Sequence, residues 1–137
     1  MPRVSGIIET ALYAADLPRT AEFYRDLFGF PTLTSSDRLI ALDVAGRSVL
    51  LLFQQDSTRE AFTVPGGVIP PHGSGPRSHF AFAISPNDVE HWKEYLRSKQ
   101  IAVESTVAWP GGAESIYFRD PDENLVELLT PGFWAIY

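Results

Sequence analysis

The chain has 137 residues, 45% apolar and 12% aromatic, enough for one globular domain or two very small halves sharing a core. Seventeen acidic residues against eleven basic ones give a net charge of −6, and with no Lys/Arg cluster this argues against a nucleic-acid partner. Cysteine is absent, so disulfides and thiolate chemistry are excluded, and any metal must be held by His, Asp, Glu or water.

Taken in order, Met1-Pro2-Arg3 lacks the apolar segment of a secretory signal. No apolar run is longer than that at 49–53, which is far too short to span a bilayer. The expectation is a cytoplasmic protein that handles a small molecule. Residues 8–14 alternate as a strand, with Glu9, Ala11 and Tyr13 on one face. Asp16 is a candidate N-cap, followed by Pro18 in the first helical turn. Leu17, Ala21, Tyr24 and Leu27 recur at helical spacing until Gly29 stops the helix. Strands follow at 39–44 and 48–53, with a weaker one at 31–34.

The plan then repeats. Strand 78–85 places His79, Ala81 and Ala83 on one face and Phe80, Phe82 and Ile84 on the other. Pro86-Asn87-Asp88 forms a turn and cap before the helical stripe Val89, Trp92, Tyr95 and Leu96. Extended segments come next at 101–108, 115–119 and 125–130, the last two joined by Asp120-Pro121-Asp122-Glu123-Asn124. Glu9 thus corresponds to His79, and Leu17 to Val89. Between the halves, 54–77 is rich in Pro, Gly and polar residues, and reads as linker and lid together.

Three segments carry a family resemblance. They are the run from Glu9 through Phe30, His79-Phe-Ala-Phe-Ala-Ile, and Ser115-Ile-Tyr-Phe-Arg-Asp-Pro-Asp-Glu-Asn-Leu-Val-Glu-Leu-Leu. With their order, they resemble the vicinal oxygen chelate superfamily, which includes glyoxalase I, fosfomycin-resistance enzymes, extradiol dioxygenases and bleomycin-resistance proteins. The resemblance implies an α+β fold, two βαβββ modules forming a partly closed eight-stranded cup. Module 1 would cover about 5–55, the linker 56–77 and module 2 about 78–132 of a single domain. The family's metal-ligand positions fall on Glu9, Leu51, His79 and Glu127, of which Leu51 is apolar. The implied metal set is therefore Glu9, His79 and Glu127.

Strand phase agrees with that set. Glu127 shares a face with Leu125 and Leu129, and a one-residue slip would bury it against a helix. A carboxylate within Leu-Val-Glu-Leu-Leu is costly to bury unless paired or bound to a cation. Taken singly, each of the three has a blander reading, as surface carboxylate or core histidine. Two carboxylates and one imidazole make a hard, neutral site for Mn²⁺, Fe²⁺, Co²⁺, Zn²⁺ or Mg²⁺, less drawn to a phosphonate than a site with two His. Glu127 or Glu9 would double as the catalytic base. Tyr13, Phe53, His72, Trp109, Ser115 and Tyr117 are the candidate substrate-binding residues, and His91 reads as surface. At the last hairpin the family often has Gly, and Asn124 tolerates the left-handed conformation there.

The leading reading is a metal-dependent enzyme that chelates a small oxygenated substrate, glyoxalase-like lyase chemistry favoured over dioxygenation or epoxide opening. The alternative is a metal-free small-molecule binder of the bleomycin-resistance type. The resemblance also implies a homodimer, Glu9 of one subunit completing the His79/Glu127 site of the other. The apolar tail 133–137 is expected to dock at that interface or over the cup.

Overall fold

The computed structural model describes Met1, Arg3 and residues 7–73 and 77–135. The chain divides into two compact units, Met1–Pro76 and Arg77–Tyr137. Each follows the predicted order of a strand, a helix and three strands. The fold is mixed α+β, and each unit carries one four-stranded sheet.

In the first unit, β1 (Glu9–Ala14) leads into α1 (Leu17–Phe28), and β2 (Thr32–Ser35), β3 (Leu39–Val44) and β4 (Ser48–Gln54) follow. The sheet order is β1-β4-β3-β2, with β1 parallel to β4 and the rest antiparallel. Helix α1 starts where Asp16 accepts from the Arg19 amide at 3.1 Å and ends at Gly29, whose φ of 69° is free for glycine. Its stripe of Leu17, Ala21, Tyr24 and Leu27 is buried, as are Leu12, Ala14, Ile40, Leu42, Leu50 and Leu52 on one face of the sheet. Burying side chains of this kind contributes about 1.5–3 kcal/mol each. The other face carries Glu9, Ala11 and Tyr13 opposite Val49, Leu51 and Phe53.

The segment after β4 is more ordered than its composition suggests. β5 (Phe62–Val64) and β6 (Gly67–Ile69) pair as a hairpin around Pro65-Gly66. Phe-Thr-Val and Val-Ile flanking Pro-Gly is a hairpin signal that a reading by Pro and Gly content alone passes over.

In the second unit, β7 (His79–Ala83) leads through a 3₁₀ turn (Pro86–Asp88) into α2 (Val89–Ser98), followed by β8 (Ser105–Ala108), β9 (Glu114–Arg119) and β10 (Leu125–Leu129). The order is β7-β10-β9-β8, again with the first strand parallel to the last. Val89 and Leu96 of the helix are buried, with Ile116, Phe118, Val126 and Leu128 of the sheet. The strand expected at 101–108 is regular only from Ser105, because its start pairs through just the Glu104 amide to the Tyr117 carbonyl.

The β9–β10 turn sets the register of β7. Asp120 accepts from the Asp122 and Asn124 amides and from Asn124 Nδ2, all at 2.8–2.9 Å. Asn124 Oδ1 in turn accepts from the Ser78 amide (3.1 Å), and the Leu125 amide donates to the Ser78 carbonyl (2.8 Å). His79 is thereby placed opposite Leu125. The left-handed residue of this turn is Glu123 (φ 66°), not Asn124, which is buried and committed to these bonds. An ordinary residue in that region costs about 1–2 kcal/mol. Glu123→Gly is therefore expected to stabilise the fold by about 0.5–1 kcal/mol, the relieved strain less the extra freedom of unfolded glycine. The check is a higher urea midpoint at unchanged slope; an unchanged or lower midpoint contradicts it.

Candidate functional site

In the second unit, the sheet face opposite the Ile116, Phe118, Val126 and Leu128 side presents His79, Ala81 and Ala83 from β7, Glu127 from β10, and Ser115 and Tyr117 from β9. Glu127 sits opposite Ala81 on one side and Tyr117 on the other. His79, diagonal to it, brings Nε2 to 3.3 Å from Glu127 Oε2. The two predicted ligands of this unit are thus adjacent, the imidazole half exposed and the carboxylate buried at 6%.

Hydrogen bonding orients both groups. His79 Nδ1 lies 3.1 Å from the Leu125 carbonyl, which only accepts, so Nδ1 carries the proton. In the neutral ring Nε2 then points a lone pair at a carboxylate oxygen. Two acceptors at that distance require a cation between them, a proton or a metal ion. Ligand atoms about 2.0–2.2 Å from a common ion, at about 90–110°, sit about 3.0–3.4 Å apart. The observed pair fits a shared metal ion.

The other carboxylate oxygen is also engaged. Ser115 Oγ donates to Glu127 Oε1 at 2.5 Å, and Trp109 Nε1 donates to Ser115 Oγ at 2.8 Å. Trp109 is held in turn by Phe133, ring centroids 4.3 Å apart. Gly111 and Gly132, close to these rings in sequence, both lie at positive φ (96° and 110°), a conformation that favours glycine. Burial chiefly, and hydrogen bonding to the Glu127 carboxylate, push the Tyr117 phenol above its ordinary pKa against a lowering by Ser115. Tyr117 therefore stays protonated at neutral pH and available as a donor.

The first unit gathers a different set. Tyr13 and Phe53, opposite each other in register, stack at 5.8 Å. His72 joins them, its Nδ1 hydrogen-bonded to the Tyr13 hydroxyl and its ring edge-on to Phe53 at 4.9 Å. Thr58 fixes the segment there, its carbonyl accepting from the His72 amide (3.0 Å) and its Oγ1 donating to the His72 carbonyl (2.5 Å). The long connection thus folds onto the Tyr13/Phe53 end of its own sheet.

Glu9 is exposed on β1 of the first unit, on the same face as Tyr13. Leu51 pairs with Ala11 in the first sheet as Glu127 pairs with Ala81 in the second, so it occupies the equivalent position with an apolar side chain. Among the described residues, no group of three His, Asp or Glu side chains comes together to hold a metal within the chain. Of the tail, Phe133 covers Trp109 and Trp134 is exposed at 60%, while 136 and 137 lie outside the described residues. Among the described residues, no helix is long and apolar enough to cross a membrane. Sequence reasoning missed Arg38, whose guanidinium lies over the Phe53 and Phe62 rings. It also missed the Trp109–Ser115 bond, because alternation identifies a face but not a partner six residues away.

A sequence model of the Glyoxalase/Bleomycin resistance protein/Dioxygenase superfamily matches residues 6–128. The crystal structure of a lactoylglutathione lyase from Agrobacterium tumefaciens is similar, with 36% identity and a TM-score of 0.89, covering 98% of this chain and 99% of that one. Metallothiol transferase FosB of Staphylococcus haemolyticus is 26% identical over 93% of this chain and 84% of its own length. Virulence protein STM3117 of Salmonella typhimurium is 31% identical over 91% of this chain and 83% of its own.

Proposed function

The chain belongs to the Glyoxalase/Bleomycin resistance protein/Dioxygenase superfamily, and on that premise we propose that it is a metal-dependent enzyme acting on a small oxygenated substrate. The observation that carries this reading is the His79–Glu127 pair: an imidazole whose Nδ1 proton is taken by a carbonyl, facing a buried carboxylate at 3.3 Å. Likeness to a lactoylglutathione lyase supports a lyase or isomerase step over thiol transfer or dioxygenation.

His79 Nε2 and Glu127 Oε2 would hold a divalent ion, with Mn²⁺, Fe²⁺, Co²⁺, Zn²⁺ and Mg²⁺ all compatible with the donor set. Bound there, the ion would polarise neighbouring substrate oxygens and stabilise an oxyanion or enolate. Glu127 is tied by Ser115 on one oxygen and aligned with His79 on the other, which suits a fixed ligand. Glu9, exposed and not tied by the described residues as Glu127 is, would double as a loosely held ligand and the base. Tyr117 would orient substrate groups on the His79 side, Ser115 being buried and committed to Glu127 and Trp109, and Ala81 and Ala83 leave room beside it.

Third-ligand duty falls to Glu9 of a second copy, which makes the protein a homodimer with shared sites. Sedimentation at micromolar concentration should give a dimer, and a monomer would contradict the sharing. Ser115→Ala removes the donor that orients Glu127 and should weaken metal binding about 10- to 100-fold. Calorimetric titration reads this directly; unchanged affinity would leave Ser115 with no part in holding the carboxylate.

The reading is tested by assaying lactoylglutathione turnover and thiol transfer before chelation, after chelation and after adding back each metal. Activity lost with chelator and restored by one of these ions is expected. Activity indifferent to chelator contradicts metal dependence. Tight binding of an aromatic ligand by metal-free protein, with no metal uptake, would instead support the binding-protein alternative, to which Tyr13, Phe53 and Trp109 are suited.

A further inference from the structure

One cation in the first unit is held in place without being neutralised. The Arg38 guanidinium lies 4.1 Å from the centroid of the Phe62 ring and 5.5 Å from that of Phe53, and its Nε donates to the Ser57 carbonyl at 3.1 Å. Its backbone is fixed too, the amide donating to Ser36 Oγ (3.2 Å) and the carbonyl accepting from Gln54 (2.9 Å). Head group and main chain are therefore both ordered before any ligand arrives, which lowers the entropic cost of binding. Among the described residues, no protein group accepts from either Nη atom and no carboxylate pairs with the guanidinium. Asp56, next to Ser57 in sequence, is occupied by Arg59 at 2.8 Å. Ser57 contributes an Oγ that is buried without a hydrogen-bond partner, an unused polar group in the residue that holds Arg38.

We propose that Arg38 anchors the carboxylate of a small ligand whose apolar body lies against Phe62 and Tyr13. A guanidinium offers two parallel N–H donors that match a carboxylate, and here Nε is spent while the Nη edge is free. Phe62, 43% exposed and 4.1 Å from the guanidinium, supplies an apolar wall next to the charge, and Tyr13, stacked on the buried Phe53, extends it. A single uncompensated cation in a chain of net charge −6 suits a monoanion better than a dianionic phosphate or phosphonate. This corner stands on the first unit alone. That its ligand is the enzyme's substrate rests on the metal-dependent reading above.

The experiment is a ligand-observed NMR titration of the full chain with benzoate, with benzamide as the neutral shape match and inorganic phosphate as competitor. Benzoate should bind, benzamide should not, and phosphate should displace benzoate only weakly. Arg38→Gln should weaken benzoate binding about tenfold or more, the worth of a charge-assisted pair. Arg38→Lys, which keeps the charge but not the fork, should fall between the two, and it decides the matter if the glutamine variant melts early. Cobalt titration of the same proteins separates this claim from the metal one: R38Q keeps wild-type metal affinity, and His79→Ala keeps benzoate binding. Equal benzoate binding by wild type, R38Q and R38K overturns the assignment, as does benzamide binding as well as benzoate or phosphate binding more tightly.

Discussion

Replacing His79 by alanine is expected to weaken divalent-metal binding by more than about 100-fold, while the fold stays intact. The size follows from what is removed. His79 supplies the nitrogen of the pair, with its second ring nitrogen already fixed on the Leu125 carbonyl, so the imidazole is oriented without help from the ion. Changing groups that merely orient a ligand costs about 10- to 100-fold, and deleting the ligand should cost more. The fold should lose little. His79 is half exposed, and its one side-chain hydrogen bond to the protein main chain is worth about 1 kcal/mol. Titration with Co²⁺ or Mn²⁺ beside a urea melt separates the two effects. Metal affinity equal to wild type would mean that the ligands lie elsewhere.

Glu127 should show the opposite pairing of effects. Glu127→Leu is expected to abolish metal binding and to stabilise the metal-free fold by about 1–3 kcal/mol. The carboxylate is 6% exposed between Val126 and Leu128, with the strands of Ala81 and Tyr117 on either side. Replacing a whole buried polar pair by apolar side chains is often neutral or stabilising, whereas removing one partner costs stability when the other is left buried and charged. Here the partner left behind, His79, is half exposed and can be solvated, so the relief from burying the carboxylate prevails. The variant leaves Ser115 Oγ without its acceptor but still accepting from Trp109. Adding Ser115→Ala removes that residue of cost and should raise stability further. A melt in the presence of chelator reads the sign. A loss of more than about 1 kcal/mol in Glu127→Leu would mean that the carboxylate serves the sheet, not a ligand.

The placement of these residues was legible to an uneven degree. His-Phe-Ala-Phe-Ala and Leu-Val-Glu-Leu-Leu each separate into two faces by alternation, and the structure puts His79 and Glu127 on the same face as that phase requires. Asp16 and Gly29 bounded the first helix because caps act locally. Contacts made across the chain were hidden. Tyr13 meets His72 across 59 positions, and Arg38 reaches Ser57 across 19; no local pattern encodes either. The last turn misled for another reason. Asn124 is the better left-handed residue by propensity, but its amide and carbonyl are drawn into Asp120 and Ser78, so the strain moves to Glu123. Leu51 could be matched to Glu127 only through the family resemblance, and the shared strand register now supports that match.

Metal analysis of the wild-type protein tests the central claim most directly. Protein purified without chelator, incubated in turn with Mn²⁺, Fe²⁺, Co²⁺ and Zn²⁺ and freed of excess, should retain close to one equivalent of at least one ion per chain. Retention of less than about a tenth of an equivalent with every one of them would contradict a metal site at His79 and Glu127.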